Sequence, residues 1–221
     1  LCRALDARGL AMENLGDIDA QSIAGATATG THGTGLRYPI LSGQIEEVEL
    51  VLADGSELTV SGGDVLRAAR LSLGALGVVA AVTLRCVPAF RMRNVDRPEP
   101  LDDVLADLQR RAETLDHFEF WTFPHTDVAL TRTHEATDAP PTPPRPVRTY
   151  VSDVLMDNHA FRVVNEVARR VPRAIPRLNR FAARAASRRE RVGPSYAIFA
   201  SERRVRFEEM EHAVPREHTV E

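Results

Sequence analysis

Lysine is absent from this chain of 221 residues, and all 28 of its Lys and Arg residues are arginine. A P-loop needs a lysine that reaches the nucleotide phosphates, and pyridoxal-phosphate and other Schiff-base enzymes need a lysine amine. The sequence therefore excludes these three kinds of chemistry from the region that it covers.

Cysteine is almost as scarce, since only Cys2 and Cys86 are present. Two residues so far apart in sequence provide neither a disulfide framework nor a cysteine metal site. The seven histidines are scattered without the spacing of zinc ligands, and no G-x-S-x-G nucleophile motif occurs. We therefore expect no metal site and no Ser-His-Asp hydrolase.

Long apolar runs and a strong excess of either charge are also missing. No segment approaches the length of a transmembrane helix, no signal peptide is recognisable, and the formal net charge is −3. These features predict a cytoplasmic protein without a membrane or nucleic-acid partner. Because the chain begins at Leu1 rather than at a methionine and ends on a charged segment, we expect it to be an internal piece of a longer protein.

The most informative motif that is present is a glycine-rich loop with a single histidine. Residues 29–35, called the glycine loop below, have the sequence TGTHGTG. Its glycines let a ligand approach the backbone amides, and Thr29, Thr31 and Thr34 add hydroxyl donors, so the loop is suited to a pyrophosphate. The pattern G-x-x-G-x-G differs from the G-x-G-x-x-G of a Rossmann turn. A tight turn between buried segments is an equally good interpretation of the same residues.

The first half of the chain predicts a small α/β unit. Residues 43–60 alternate like a hairpin, with Asp54-Gly55 at the turn. Asp64 is placed to cap a short helix. A strand is expected over 78–87, and Pro88 ends it, which predicts a domain boundary there. Three residues of the short helix are expected to face inward: Val65, Leu66 and Ala69.

The second half alternates helical and extended patterns without internal repeats, so we expect an α+β fold class. Apolar residues at helical spacing predict helices over 101–115 and 158–171. A proline-rich stretch over 139–147 is expected to be an extended loop. Strand-like patterns occupy three segments, 118–123, 195–199 and 203–207.

Nine arginines lie between Arg169 and Arg191, with apolar residues between them. This pattern is compatible with a phosphate-binding surface or a helix that lies on a membrane. Pro172 and Pro176 interrupt any long helix, and nearby glutamates offer ion-pair partners. A solvated helical face in an arginine-rich protein is the favoured interpretation.

Four blocks of sequence resemble one known family in the same order. Residues 14–25 together with the glycine loop are similar to the flavin segment of the aldonolactone oxidases, which include gulono- and arabinono-1,4-lactone oxidases and bacterial alditol oxidases. These enzymes belong to the vanillyl-alcohol-oxidase-like FAD-linked oxidoreductases. The further blocks are LGALGVV over 73–79, FEFWTFPHT over 118–126, and SERRVRF over 201–207 followed by VPRE over 214–217.

The resemblance implies FAD as the cofactor and two incomplete domains. Residues 1–88 are then the C-terminal part of a PCMH-type FAD-binding domain, and residues 89–221 are a truncated α+β substrate (cap) domain. Glu202 and Arg204 match an E-x-R pair that faces the flavin in the substrate pocket, and Ser22 matches a position between flavin and substrate. The other positions that the resemblance assigns to the cofactor are Thr27, Gly30, Thr31, His32, Gly33, Val78 and Val79.

The pair Glu202 and Arg204 also has a physical rationale. Residues two apart on a strand point to the same face. An arginine can steady a substrate oxygen or negative charge on reduced flavin, and a glutamate can accept a hydrogen bond from a hydroxyl. Without the resemblance, a surface ion pair is the better interpretation. For His32 we expect a supporting hydrogen bond to backbone or cofactor rather than a covalent flavin link.

The implied activity is oxidation of a CH–OH group in a sugar-derived 1,4-lactone by hydride transfer to flavin, with reoxidation by oxygen or another acceptor. An alditol oxidase and a non-catalytic protein with a decayed flavin site are the alternatives. A nucleic-acid-binding module based on the arginine-rich segment is a weaker one. Because parts of both domains are expected to be missing, residues 1–221 alone are predicted to be inactive.

Overall fold

The computed structural model describes residues 1–143, 158–201, 205 and 210–219. Its first elements are short. They are helix α1 (Cys2–Asp6), strand β1 (Leu10–Ala11) and helix α2 (Ile23–Ala28). The glycine loop follows α2 directly, so it lies near the start of the fold.

A three-stranded antiparallel sheet forms the body of the first half. Its strands are β2 (Ile45–Val51), β3 (Glu57–Val60) and β4 (Val78–Leu84), in the spatial order β3-β2-β4, and helix α3 (Gly63–Arg70) packs on it. The hairpin is confirmed, with Gly55 at a φ of +81° in the turn. The core of this sheet is apolar and contains Ile45, Val48, Leu50, Val60, Leu66 and Ala69.

Two local predictions about α3 were wrong. The helix begins at Gly63 with Gly62 as its N-cap, so Asp64 lies inside the first turn and forms an ion pair with Arg67 at 2.9 Å instead of capping. Val65 is 54% exposed, because only Leu66 and Ala69 of this helix face the sheet. Placing Val65 next to Leu66 on the buried side would require a wider apolar stripe than this short helix presents.

The strand expected over 78–87 is divided in two. Strand β4 ends at Leu84, and a separate strand β5 (Val87–Pro88) pairs with β1, so that Leu10 lies opposite Pro88. Proline can occupy this position because β5 is short and ends at Pro88.

The second half is built on a four-stranded antiparallel sheet. Strand β6 (Arg91–Pro100) precedes helices α4 (Leu101–Ala106) and α5 (Leu108–Thr114), and strands β7 (His117–Thr122) and β8 (Val128–Ala136) follow. Helices α6 (Phe161–Arg170) and α7 (Ile175–Ala185), strand β9 (Arg189–Pro194) and helix α8 (Ser195–Phe199) complete the described elements. The spatial order of the strands is β7-β8-β6-β9.

The two faces of this sheet have different partners. Helices α4 and α5 cover the outer face, where Val104 is fully buried and Arg111 binds Glu99 at 2.9 Å. The opposite side, called the inner face below, carries His117 and His134, which lie in register on β7 and β8. Phe199 of α8 packs against both rings. Met92 lies on the same face and packs with Phe199, so α8 covers one end of the inner face.

The strand expected over 195–199 was wrong, since these residues form α8. Pro194 precedes the helix, and both Ile198 and Phe199 are buried in one cluster with Met92. Successive residues of a strand point to opposite faces. A helical turn lets both side chains reach the same cluster, and this packing overrides their preference for strands. The strand expected over 203–207 lies outside the described residues, apart from Val205.

The remaining helices and the proline-rich loop follow the sequence in outline. The helix expected over 101–115 is interrupted at Asp107, whose backbone leaves helical geometry and whose carboxylate binds Arg110 and Arg111. The expected 158–171 helix is confirmed as α6, although it carries no buried residue. Pro172 begins a 3₁₀ turn and Pro176 lies in the first turn of α7. Residues 139–143 contain no helix or strand, and 144–147 lie outside the described residues.

The combination of separate antiparallel sheets with interspersed helices confirms the expected α+β fold class. Across the described ranges, no helix is both long and apolar enough to cross a membrane. The same ranges contain no group of three or more His, Cys, Asp or Glu side chains arranged to hold a metal ion.

Candidate functional site

The glycine loop begins where α2 ends. The Ser22 hydroxyl oxygen caps α2 by accepting a hydrogen bond from the Gly25 N–H at 3.1 Å. The chain then turns at Gly30, with a φ of +76°, and again at Gly35, with a φ of +95°. Both values lie in the left-handed region that glycine adopts without strain. The loop is therefore a defined turn at the end of a capped helix.

Gly33 is the position where the loop approaches the rest of the chain most closely. A Cβ atom there would lie 2.1 Å from the Leu15 carbonyl oxygen and 2.5 Å from the Asn14 Oδ1 atom. No side chain fits in that space. The backbone of residues 14–15 and the loop are thus in direct contact, as a backbone-lined ligand site requires.

The buried side-chain amides of Asn14 and Gln44 support the glycine loop. Asn14 is 1% exposed and its Nδ2 group donates to the Thr34 and Pro39 carbonyls at 3.3 and 3.2 Å. Gln44 is fully buried and its Nε2 group donates to the Asn14 carbonyl at 2.8 Å. No sequence pattern marked Gln44, although an amide between apolar residues at the start of β2 is a signal of a buried hydrogen bond.

Three threonine hydroxyls in and just before the loop donate hydrogen bonds to acceptors in the same segment. Thr27 is 3% exposed and donates to the Ile23 carbonyl at 2.8 Å. Thr29 donates to the Gly25 carbonyl at 3.0 Å, and Thr31 donates to the Gln21 side chain at 3.1 Å. The expected hydroxyl donors Thr29 and Thr31 are therefore already used to shape the loop.

The backbone amides of the loop remain available. Among the described residues, no acceptor receives a hydrogen bond from the N–H groups of residues 32–35. Consecutive unpaired N–H groups form a concavity that binds anions. The loop therefore leaves four backbone donors for an anion such as the pyrophosphate of FAD.

His32 makes two contacts with oxygen acceptors. Its Nε2 atom lies 2.6 Å from Oε1 of Glu211, and its Nδ1 atom lies 2.9 Å from the Gly33 carbonyl oxygen. The hydrogen bond to Gly33 and the neighbouring Glu211 raise the pKa of His32. Both ring nitrogens can donate at once only when the ring is protonated. His32 thus stabilises the loop and favours a positive charge beside the free N–H groups.

His117 fastens the glycine loop to the inner face of the second sheet. It is 2% exposed, and its Nδ1 atom lies 2.8 Å from the Thr34 carbonyl oxygen, to which it donates as the neutral tautomer. The Tyr38 ring stacks on it at 4.5 Å, and burial lowers the pKa of His117. An ion pair between Arg37 and Asp116 reinforces the contact. His117 lies one residue before the block FEFWTFPHT that resembles the family, and no sequence pattern gave it a role.

A charged row lies on the inner face beside His117 and His134. Arg132 of β8 is held by both oxygens of Asp96 on β6, with distances of 2.6 and 3.1 Å. Its guanidinium lies 3.7 Å from Glu119 of β7 and 4.8 Å from the centre of the Trp121 ring. The three strands bring these residues together because Arg132 is in register with both Glu119 and Asp96. Glu119 and Trp121 belong to the block FEFWTFPHT, but the sequence gave no role to any of these side chains.

The remaining positions assigned by resemblance are only partly placed. Glu202 and Arg204 lie outside the described residues. Ser201, which precedes them, donates its N–H to the Asp17 carbonyl at 2.9 Å. Val78 is 70% exposed at the start of β4, whereas Val79 packs against the core of the first sheet.

Comparison with known proteins agrees with this geometry. A family model described as D-arabinono-1,4-lactone oxidase matches residues 82–221, and one described as an FAD binding domain matches residues 1–61. The L-gulono-1,4-lactone dehydrogenase of Mycobacterium tuberculosis is 44% identical over 210 residues, which cover 95% of this chain and 49% of that protein. The L-gulonolactone oxidase of Scyliorhinus torazame is 35% identical over 182 residues, 80% of this chain and 40% of that protein. The chain thus spans about half the length of the curated relatives it matches.

A solved structure described as a solvent-stable cholesterol oxidase has a similar fold. It superposes with a TM-score of 0.71 at 16% identity, covering 91% of this chain and 44% of that one. At this identity the likeness concerns the fold alone. It confirms the expected fold class, and the match to the FAD binding domain model confirms the expected cofactor, FAD.

Proposed function

Because the chain belongs to the D-arabinono-1,4-lactone oxidase family, we propose that it forms part of an FAD-dependent oxidoreductase that oxidises a CH–OH group of a sugar-derived 1,4-lactone. The observation that carries this proposal is the run of N–H groups over residues 32–35 that have no acceptor among the described residues. This arrangement suits the negatively charged part of FAD.

Different residues of this chain have different roles in such a reaction. The N–H groups of residues 32–35 hold an anion, and His32, through its contacts with the Gly33 carbonyl and Glu211, stabilises the shape of the loop beside it. When bound, FAD supplies the acceptor for the hydride that leaves the substrate carbon. In this proposal, Glu202 accepts a hydrogen bond from the reacting hydroxyl and Arg204 steadies the oxygen that becomes a carbonyl, as the family resemblance implies.

A two-domain division at residues 88 and 89 is part of the proposal. It is supported by the pairing of β1 with β5, which closes the first half at Pro88 shortly before β6 begins at Arg91.

Oxygen or another acceptor would reoxidise the flavin. A cytoplasmic location stays a prediction, and fractionation of cells that express a tagged complete gene product would test it.

The experiment that tests the proposal uses the complete gene product. The purified protein is expected to be yellow, and anaerobic addition of a lactone is expected to bleach its flavin absorbance. The panel contains gulono-, galactono- and arabinono-1,4-lactones and open-chain alditols, and oxygen is compared with an artificial acceptor. A colourless protein, or a yellow one that no member of the panel bleaches, would favour a non-catalytic protein with a decayed flavin site.

A further inference from the structure

Two parts of the sequence that the proposed function does not use meet in the folded chain. They are the turn over residues 123–127, which contains the end of the block FEFWTFPHT, and helix α7 of the arginine-rich segment. Asn179 of α7 donates from its Nδ2 group to the Pro124 carbonyl at 3.0 Å, and Ala183, one helical turn further along, is buried. The helix is therefore fixed against the turn that joins β7 to β8.

A cavity of about 420 Å³ lies between this turn and the helix. Its walls include His125, Thr126 and Asp127 of the turn and Arg180, Ala183 and Arg184 of the helix. The turn follows the last residue of β7, whereas His117 is the first residue of that strand, roughly 17 Å away along it. The cavity therefore shares no residue with the glycine loop.

Arginines at both ends of the arginine-rich segment are paired with glutamates. Arg169 and Arg170 both bind Glu166, at 2.8 and 2.7 Å, and Arg188 binds Glu190 at 2.9 Å. The glutamates near this segment therefore neutralise arginines that lie outside α7.

The arginines on α7 itself have no such partner. Across the residues that the structure describes, no carboxylate forms an ion pair with Arg177, Arg180 or Arg184. The Nε group of Arg180 donates to the Pro176 carbonyl at 2.9 Å, which leaves its terminal N–H groups unused. Arg180 and Arg184 are one helical turn apart, so their like charges repel and weaken the helix. An anion between them removes this repulsion.

The turn adds a donor and a carboxylate to the same cavity. His125 has a φ of +69°, which residues other than glycine rarely adopt, and its ring has no hydrogen-bond partner in the part of the chain that is described. Even a neutral imidazole carries one N–H donor. The Thr126 hydroxyl is already used, since it donates to the Phe123 carbonyl at 2.8 Å. Asp127 contributes a carboxylate, which accepts hydrogen bonds from hydroxyl groups.

We propose that this cavity binds the phosphate or carboxylate group of a small hydroxylated molecule. Arg180 and Arg184 hold the oxyanion, because guanidinium groups donate paired hydrogen bonds to phosphate and carboxylate. His125 donates a further hydrogen bond, and Asp127 accepts one from a hydroxyl group of the ligand. A membrane or a nucleic acid would instead engage the exposed arginines along the whole of α7, including Arg177.

The test titrates the complete gene product with inorganic phosphate and with gluconate by calorimetry, at constant ionic strength because salt screens exposed charges. Arg180→Gln and Arg184→Gln remove the oxyanion donors. Arg177→Gln is the matched control, since it removes the same charge from the same helix without lining the cavity. Asp127→Asn removes the negative charge from the cavity. All four side chains are exposed, so the melting temperatures are expected to stay unchanged.

The unchanged protein is expected to bind phosphate or gluconate saturably, and the tighter of the two identifies the oxyanion. Arg180→Gln and Arg184→Gln are expected to weaken binding about tenfold or more, as the loss of charge-assisted hydrogen bonds does. Arg177→Gln is expected to bind as the unchanged protein does, and Asp127→Asn to bind phosphate more tightly.

Three results would overturn the proposal. They are the absence of saturable binding in the unchanged protein, unchanged binding in Arg180→Gln and Arg184→Gln, and a loss in Arg177→Gln as large as theirs. The last result would mean that the ions are attracted by the charge of the whole helix. Lactone turnover plays no part in this measurement, so this inference and the proposed function fail independently of each other.

Discussion

At the scale of single residues, the candidate cofactor site depends on the absence of a side chain at Gly33. The loop reaches the backbone of residues 14–15 so closely that a methyl group would overlap the Leu15 carbonyl. Any side chain here must push the loop away from Asn14, which donates a hydrogen bond to the Thr34 carbonyl of the loop. The position of the free N–H groups therefore follows from one absent side chain.

Gly33→Ala is expected to abolish stable FAD binding, because the displaced loop no longer aligns the N–H groups of residues 32–35. Gly62→Ala is the control, since Gly62 has open space around its Cβ position and no positive φ. Flavin content of the purified complete gene product and titration of the apoprotein with FAD measure the effect. Retention of normal FAD affinity in Gly33→Ala would contradict the anion-binding role of this loop.

His134 is a residue whose burial should be visible in the pH dependence of stability. It is 5% exposed, and among the described residues neither ring nitrogen has a hydrogen-bond partner. Burial, with a contribution from the positive charge of Arg132, lowers the pKa of His134 to about 3. The folded protein thus keeps this ring neutral, while the unfolded chain protonates it near the ordinary value of 6.5.

The unfolded state consequently binds a proton more readily than the folded state does. The contribution of His134 to the free energy of unfolding is therefore fully present above pH 6.5 and is lost as the pH falls toward about 3. His134→Leu is expected to flatten that part of the profile. Urea unfolding at a series of pH values measures it, with His159→Leu at an exposed position as control. Parallel profiles for His134→Leu and the unchanged protein would show that another group causes the acid sensitivity.

At the scale of secondary-structure elements, strand β7 positions the glycine loop. His117 at its start donates to Thr34 and is packed between the Tyr38 and Phe199 rings. Gly35 supports the same contact, since a Cβ there would lie 2.4 Å from the Asp116 carbonyl oxygen. An element of the second sheet therefore sets the shape of a loop that belongs to the first half.

His117→Phe keeps the stacking with Tyr38 and removes the hydrogen bond to Thr34. We expect the FAD dissociation constant to rise by roughly 5- to 20-fold, the equivalent of the one to two kcal/mol of a lost buried hydrogen bond. Quenching of FAD fluorescence during titration of the apoprotein measures it. His159→Phe serves as the exposed control. An unchanged affinity would mean that Asn14, which also donates to Thr34, holds the loop alone.

The elements also show what the sequence can and cannot predict. The hairpin over β2 and β3 was predicted correctly because its alternation and its Asp54-Gly55 turn are local signals. The strand expected over 195–199 failed because burial against Met92 comes from a distant strand. Pattern reasoning found the glycine loop for the same local reason. It missed His117, Gln44 and Arg132, whose roles depend on contacts across 83, 30 and 36 residues.

At the scale of the whole molecule, the chain matches an FAD binding domain over residues 1–61 and the D-arabinono-1,4-lactone oxidase family over residues 82–221. It matches about half the length of its curated relatives. Several apolar side chains around the first sheet are exposed, including Leu73 at 76% and Val78 at 70%. If they form one continuous patch, such a surface is typical of one that another part of a protein covers.

Residues 1–221 expressed alone are therefore expected to bind FAD weakly and to lack turnover. The flavin absorbance of the purified fragment and its oxygen consumption with lactones measure this, in parallel with the complete gene product. Stoichiometric flavin and turnover in the fragment would show that this half of the relatives' length contains the whole site.

The long-range contacts of the glycine loop have a consequence for how the protein folds during its synthesis. Thr34 is held by His117, 83 residues later, and His32 by Glu211, 179 residues later. Contacts between such distant positions form late, because a long stretch of chain must be ordered before they close. On the ribosome, the N-terminal residues emerge well before either partner has been synthesised. The contacts that hold the glycine loop are thus complete only after both His117 and Glu211 have been synthesised, and FAD that binds through the loop is expected to bind after the second sheet has folded.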